Sequence, residues 1–170
     1  TTIADTQIHY DKLAHRYAVA GYAGLTRPVS SGPDAQWDFS LTFPEQKVSP
    51  VDVSFLLILM DGSTTGIQFK RNPADKRGAS VRFIHTLRGQ EEPSVLREFP
   101  LAKPDLDGDW HLHYRHGLLS ATKGTNLIGQ ASIQRVGIPI GGLFWLQHGG
   151  QVACDYMKLQ GEPFRRSPNP

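Results

Sequence analysis

Residues 141–161 read GGLFWLQHGGQVACDYMKLQG, two apolar runs joined by Gly149 and Gly150. Paired glycines suit a tight hairpin turn, because such turns need positive φ angles that other residues adopt only with strain. The first run, residues 143–146, is apolar at consecutive positions, which is typical of a central strand covered on both faces. The segment therefore predicts a β-hairpin whose first strand lies inside a sheet.

The second run changes phase partway along. Val152, Cys154 and Tyr156 share one face of a strand, whereas Met157 and Leu159 lie on the other. A β-bulge near Tyr156 or Met157 would account for the shift. Cys154 is the single cysteine of the sequence, so no disulfide forms within the chain, and its apolar alternation predicts a small buried side chain.

The rest of the sequence repeats short period-two segments. Residues 37–43 alternate apolar and polar, which predicts a strand with one buried and one solvated face. Residues 53–60 are apolar on both faces, and the charged segment 94–99 is bounded by prolines, as expected at a sheet edge. The pattern predicts an all-β protein, an antiparallel two-sheet β-sandwich of roughly ten to twelve strands with under about 10% helix. The expected core residues are Trp37, Phe39, Leu41, Phe55, Leu57, Trp110, Leu112, Phe144 and Leu146.

The composition is that of one soluble globular domain. The 170 residues are 39% hydrophobic and 20% charged, and 17 Gly and 12 Pro fit many short elements joined by turns. A formal net charge of +2 argues against a nucleic-acid partner, and no apolar run reaches the roughly 18 residues of a membrane span. We expect a single sandwich over residues 1–160 and a flexible tail over 161–170. The sequence starts at Thr1 rather than Met, as expected of a processed or excised chain.

The segment WHLHYR places His111, His113 and Arg115 on the outward face of a predicted strand, where they form what we call the His ridge. Three like charges in a row repel one another, and an anionic or polyhydroxyl ligand would relieve that repulsion. Two alternatives stay open. The ridge is either an ordinary solvated face or part of a Zn²⁺ or Cu²⁺ site completed by His85 or His148.

The segment DLDGD places Asp105, Asp107 and Asp109 at alternate positions. Calcium takes six to eight oxygen ligands, and short acidic loops supply them at such spacing. Gly108 stands earlier than in a helix–loop–helix calcium loop, whose twelfth position here is His116 rather than Glu. The three carboxylates therefore form either a Ca²⁺ site or a solvated turn before the next strand.

The second half of the chain has a recognisable order of parts. A tryptophan opens the strand DWHLHY, a tight turn and the segment KGTN follow, and GLFWLQHGG at 142–150 precedes a closing strand. This order resembles the concanavalin-A-like lectin/glucanase superfamily, and within it laminin-G-type modules and 3-keto-disaccharide hydrolase-type domains. In the latter a Leu-Gln-x-His-Gly-Gly-like hairpin precedes the last strand, and LQHGG at 146–150 is shorter by one residue. The resemblance covers about residues 105–160 and implies a jelly-roll sandwich and, by analogy, a glycan ligand.

The sequence lacks the catalytic pair that a glucanase of this superfamily needs. Glycosidases place two carboxylates around the scissile bond, and these glucanases carry both as alternating acids on one strand. Here the predicted strands hold the single acids Asp38, Asp52 and Asp155, and no nucleophile motif appears. The sequence therefore favours a carbohydrate-binding, glycan-recognition domain without catalysis of its own. The alternatives are a sugar-active hydrolase or lyase of the same fold, and a structural or protein-interaction sandwich in a larger assembly.

The His ridge is expected to face the glycan. Gln68, Lys70 and Arg82 are expected beside it, and Trp145 or Tyr156 would supply an aromatic platform. Binding of acidic sugars would strengthen as the pH falls through about 6.5, the reference pKa of histidine. A domain of this kind is expected in a secreted, periplasmic or cell-surface setting.

Overall fold

The computed structural model describes residues 8–11, 16–19, 23–28, 32–43, 51–71, 79–133, 137–148, 153–154, 156–160 and 162–163. Within these ranges the chain forms fifteen strands and one short helix. The strands are β1 (Ile8–Asp11), β2 (Arg16–Val19), β3 (Ala23–Pro28), β4 (Asp34–Leu41), β5 (Val51–Leu59), β6 (Thr64–Arg71), β7 (Ala79–Thr86), β8 (Ser94–Leu101), β9 (Gly108–Arg115), β10 (Leu118–Lys123), β11 (Asn126–Ser132), β12 (Pro139–His148), β13 (Ala153–Cys154), β14 (Met157–Leu159) and β15 (Glu162–Pro163). The helix is α1 (Lys103–Leu106), and no helix of these residues has the length and apolarity of a membrane span.

The strands form two large antiparallel sheets that pack as a sandwich, as the alternating segments predict. Sheet I has the order β11-β10-β9-β4-β14-β15, and sheet II has the order β3-β12-β5-β6-β7-β8. A third sheet, β1-β2-β13, has three strands. Strand β8 is an edge strand of sheet II, which confirms the expectation for residues 94–99.

Interlocked aromatic rings fill the space between the two sheets. Phe39 of sheet I stacks on Phe55 of sheet II with ring centroids 3.6 Å apart, and Trp110 meets Phe69 edge to face at 5.0 Å. Such pairs add to the free energy gained by burying the rings. The predicted core is confirmed for Trp37, Phe39, Leu41, Phe55, Leu57, Trp110, Leu112 and Phe144. The side chain of Leu146 lies outside what the structure describes.

The hairpin predicted for residues 141–161 is wrong, although its first strand is central as expected. Strand β12 lies between β3 and β5 in sheet II, whereas β14 pairs with β4 in sheet I. The chain therefore passes from one sheet to the other, and Gly149 and Gly150 lie outside the described residues. The change of phase falls between β13, which pairs with β2 in the third sheet, and β14 of sheet I. Met157 and Leu159 pair with Phe39 and Trp37, and both are buried in the core.

The other predicted tight hairpin is confirmed. Strands β9 and β10 are joined by His116 and Gly117, whose φ angles are 48° and 83°. Two consecutive positive φ angles characterise the turns whose twist matches that of paired strands. At the C-terminal end, β15 pairs with β14, and the flexibility expected of residues 161–170 stays a prediction. The other residues of that range lie outside the described residues.

Candidate functional site

The His ridge lies on the outward face of sheet I, as the alternation in β9 predicts. His113 and Arg115 are exposed, and His111 is half-buried. His111 Nδ1 lies 2.5 Å from Asp38 Oδ1, and the same oxygen accepts a hydrogen bond of 2.7 Å from Gln36 Nε2. One member of the His ridge, His111, is therefore already bonded to Asp38 of the neighbouring strand β4.

Strand β4 supplies a counterpart for each member of the His ridge. The cross-strand pairs are Asp38 with His111, Gln36 with His113 and Asp34 with Arg115. Opposite charges directly across a strand pair stabilise each other, so the repulsion within the ridge is offset inside the protein. These acids offset part of the charge of the ridge, and its role in ligand binding stays a prediction.

Gln68, Lys70 and Arg82 do not lie beside the His ridge. They belong to β6 and β7 of sheet II, on the opposite side of the sandwich. Alternation along a strand shows which side chains share a face, but it does not show to which sheet the strand belongs. The predicted ligand residues therefore separate into two groups on opposite faces.

The outward face of sheet II brings three of the predicted ligand residues into one line across its strands. Antiparallel register pairs Trp145 with Ser54, Ser54 with Gln68, Gln68 with Arg82 and Arg82 with Glu98. We call this line the Gln68 row. It crosses five neighbouring strands and spans about 19 Å at the usual strand spacing.

The Gln68 row is deepest at its centre. Ser54 is 2% exposed and Gln68 is 7% exposed, although both point away from the core. Trp145 at one end is half-buried, and at the other end Arg82 Nε lies 2.7 Å from the exposed Glu98 carboxylate. These buried polar groups at the centre of the Gln68 row form what we call the polar floor.

Asp52 extends this floor toward the next row of the sheet. It is 8% exposed, and its Oδ1 accepts a hydrogen bond of 2.9 Å from Gln68 Nε2. Its cross-strand neighbour on the same face is the exposed Lys70. All four of the predicted residues Gln68, Lys70, Arg82 and Trp145 thus surround one polar floor.

An apolar row runs along the other side of the Gln68 row. Register aligns Leu143, Leu56, Gly66, Ile84 and Val95 on the same outward face. Leu56 and Ile84 are buried, while Val95 is 45% exposed. The face thus offers apolar contact next to hydrogen-bonding groups, the combination found in most ligand sites.

Sequence reasoning missed the two polar residues of β5. Asp52 and Ser54 interrupt the apolar segment VDVSFLLIL at positions two apart. Residues two apart share one face of a strand, so these residues mark a polar patch on a strand that otherwise appears buried on both faces. This in-phase interruption is the signal that could have revealed the site.

The structure gives two of the predicted calcium ligands other partners. Asp107 Oδ1 accepts a hydrogen bond of 2.8 Å from the Phe43 backbone N–H, and Asp109 Oδ1 accepts one of 3.0 Å from the Tyr156 hydroxyl. Asp105 lies in α1 and is exposed. Within the described ranges, no three His, Cys, Asp or Glu side chains form a group that could hold a metal ion. The predicted calcium cluster is not assembled.

The histidines of the predicted zinc or copper site also lie apart. His111 and His113 belong to sheet I, whereas His85 belongs to β7 of sheet II. The side chain of His148 lies outside what the structure describes. Burial lowers the pKa of His85, and the charge of Asp61 partly opposes that change.

No family model matches this sequence, and no curated protein matches it. The carbohydrate recognition domain of Emp46p in a potassium-bound form has a similar structure, with a TM-score of 0.57 and 13% identity, covering 92% of this chain and 86% of that one. The carbohydrate-binding module CBM66 from Bacillus subtilis gives 0.55 and 15%, covering 85% of each chain. The β-glucanase of Bacillus licheniformis gives 0.60 and 10%, covering 95% of this chain and 83% of its own. The protein thus shares the sandwich fold of these domains, the fold that the resemblance implied.

Proposed function

We propose that the protein is a carbohydrate-binding domain without catalysis of its own, and that the outward face of sheet II binds the glycan. The observation that carries the proposal is the Gln68 row, a buried polar floor with an aromatic side chain at one end. The fold is shared with a carbohydrate recognition domain, a carbohydrate-binding module and a glucanase. A glycan ligand would place the protein in a secreted, periplasmic or cell-surface setting.

Each part of the face has a chemical role in this proposal. The Trp145 ring packs against the apolar face of a sugar ring, because aromatic rings combine a large apolar area with few rotatable bonds. Gln68, Ser54 and Asp52 hydrogen-bond to hydroxyl groups at the floor. Arg82 and Lys70 border the floor as donors.

The spacing of the acids on this face supports binding over hydrolysis. Among the residues that the structure describes there, the carboxylates are Asp52 on β5 and Glu98 on β8. Three strand spacings separate these strands, which corresponds to about 14 Å. Glycosidases hold their two carboxyl groups about 5 to 9.5 Å apart. This pair is too widely spaced to act together on one glycosidic bond.

A glycan array with the wild-type protein and two variants tests the proposal. Trp145→Ala should weaken binding to the selected glycan by at least about tenfold, since stacked aromatic side chains are frequent binding hot spots. Tyr156→Ala is the matched control, because Tyr156 bonds to Asp109 of sheet I. Both variants are checked for folding by thermal unfolding.

Three results would contradict the proposal. Absence of binding to any glycan would favour the structural or protein-interaction alternative. Loss of binding in Tyr156→Ala alone would move the site to sheet I. Release of reducing ends from the bound glycan would show that the protein is an enzyme.

A further inference from the structure

We infer that the ligand of the sheet II face is a neutral sugar, gripped by two neighbouring hydroxyl groups that donate hydrogen bonds to Gln68 and Asp52. The inference rests on the proposed function and adds the class of sugar. It also replaces the acidic sugar expected for the His ridge.

The orientation of the Gln68 amide follows from its partner. A carboxylate only accepts hydrogen bonds, so the amide atom 2.9 Å from Asp52 Oδ1 must be the donor Nε2. Gln68 Oε1 therefore points to the other side of the amide. This assignment follows from the hydrogen-bond chemistry and does not depend on seeing the hydrogens.

Gln68 Oε1 is a buried acceptor that lacks a donor. Gln68 is 7% exposed, and no hydrogen bond reaches its Oε1 within the part of the chain that the structure describes. Buried polar atoms are almost always hydrogen-bonded, because an unsatisfied one loses its water without replacement. The atom lies at the Gln68 row with almost no accessible surface, so a ligand that supplies the missing donor displaces the side chains around it.

Asp52 presents a second acceptor beside it. Its carboxylate is 8% exposed and is joined to Gln68 through Oδ1. Two acceptors on adjacent side chains match a ligand that donates at two adjacent positions. Neighbouring sugar hydroxyls do so, whereas a ligand carboxylate offers only further acceptors and would meet the Asp52 carboxylate as a like charge.

The basic residues of the face do not create a net positive site. Lys70 stands across the strand pair from Asp52, and Arg82 lies 2.7 Å from Glu98. Two acidic and two basic side chains therefore balance around the floor. A uronic acid or sulfated sugar would find no unopposed cation among the residues that the structure describes on this face, and a neutral sugar would leave this balance undisturbed.

The test is isothermal titration with matched oligosaccharides of equal length. Manno-oligosaccharides are compared with oligomannuronates, and galacto-oligosaccharides with oligogalacturonates, together with any pair whose backbone the glycan array selects. We expect the neutral member to bind at least about tenfold more tightly, because the acidic member replaces a donor by a charged acceptor. Chitosan oligomers form a third arm, since ammonium groups also donate.

Two variants test whether Gln68 and Asp52 cause the preference for neutral sugars. Gln68→Met removes Oε1 at similar volume and should weaken binding of the neutral sugar about tenfold or more. Asp52→Asn should lower the preference for neutral over acidic sugar by about tenfold, and this ratio does not depend on the fraction of folded protein. Gln130→Met is the matched control, since Gln130 is an exposed glutamine on β11 of sheet I, and its affinity should equal that of the wild type.

Tighter binding of uronates or of chitosan would overturn the inference, as would unchanged affinity and selectivity in both floor variants. If Trp145→Ala abolishes binding of an acidic glycan, the proposed function stands and this inference alone fails. If no oligosaccharide binds, the proposed function fails and the inference with it.

Discussion

At the scale of single residues, the partner of a carboxylate decides what it can do. Asp38 is occupied by His111 and Gln36, and Asp107 accepts from the Phe43 backbone. Both are bound to groups of their own chain. Asp52 accepts a hydrogen bond from Gln68, whose own Oε1 is a buried acceptor without a donor among the described residues.

We expect Asp107 to act as a structural acceptor and not as a calcium ligand. Asp107→Ala should lower the free energy of unfolding by about 1–2 kcal/mol, because the Phe43 N–H loses its partner. Asp107→Asn keeps an acceptor at the same place and should cost less. Urea unfolding of both variants provides the measurement.

Thermal unfolding of the wild-type protein and of both variants is then measured in millimolar calcium and in a chelator. We expect equal melting temperatures in the two solutions, since a ligand that binds only the folded state raises its stability by mass action. A rise with calcium that disappears in Asp107→Asn would restore the calcium site.

His85 should make the protein less stable in mild acid. Burial lowers the pKa of His85 in the folded state, with Asp61 opposing this in part. As the pH falls through about 6.5, the unfolded chain therefore binds more protons than the folded protein, and the free energy of unfolding decreases. His85→Gln should show a smaller decrease between about pH 7.5 and about pH 5 in urea titrations.

The exposed His113 supplies the matched control as His113→Gln. If His85→Gln and His113→Gln change the pH dependence equally, burial of His85 does not control it.

At the scale of strands, close approach between neighbours restricts which residues the sheets tolerate. A Cβ atom on Gly66 of β6 would lie 2.1 Å from the Phe55 carbonyl oxygen and 2.8 Å from the Leu56 Cα. These are backbone atoms of β5, which cannot turn aside as the end of a side chain can. The glycine lets β5 and β6 pair tightly next to the Gln68 row.

Gly66→Ala should therefore cost at least about 2 kcal/mol of unfolding free energy, because inserted atoms force the backbone to shift. Gly32→Ala is the matched control, since a Cβ there meets nothing within 4 Å, and it should change stability by less than about 0.5 kcal/mol. Chemical denaturation measures both. Equal costs would show that β5 and β6 are farther apart than the structure indicates.

At the scale of the whole molecule, local pattern predicted the parts better than their arrangement. Alternation of apolar residues placed Trp37, Phe39 and Trp110 in the core, and the turn at His116 followed from its neighbouring glycine. The sequence of a single strand does not show which distant strand it pairs with, or in what register. Nothing near Gln68 indicates that β6 lies two strands from Glu98 of β8 on one side, across β7, and two strands from Trp145 of β12 on the other, across β5.

The site was therefore only half predictable. Gln68, Arg82 and Trp145 were chosen for their chemistry, which the sequence shows directly, but their grouping with the His ridge required knowledge of sheet membership. Asp52 and Ser54 were missed as ligand groups because a mostly apolar strand was read as buried on both faces.

The passage of residues 141–161 between the sheets has a consequence for the time course of folding. Strand β14 pairs with β4, so positions near 158 complete a sheet begun near position 38. During synthesis, this edge of sheet I cannot be completed until that late segment has left the ribosome. The chain loses entropy when such a long loop closes, before the contacts between its ends can stabilise the fold. Folds dominated by pairing between distant strands therefore form in milliseconds to seconds. Until then the part of the core that Met157 and Leu159 fill remains open to water, and to other unfinished chains.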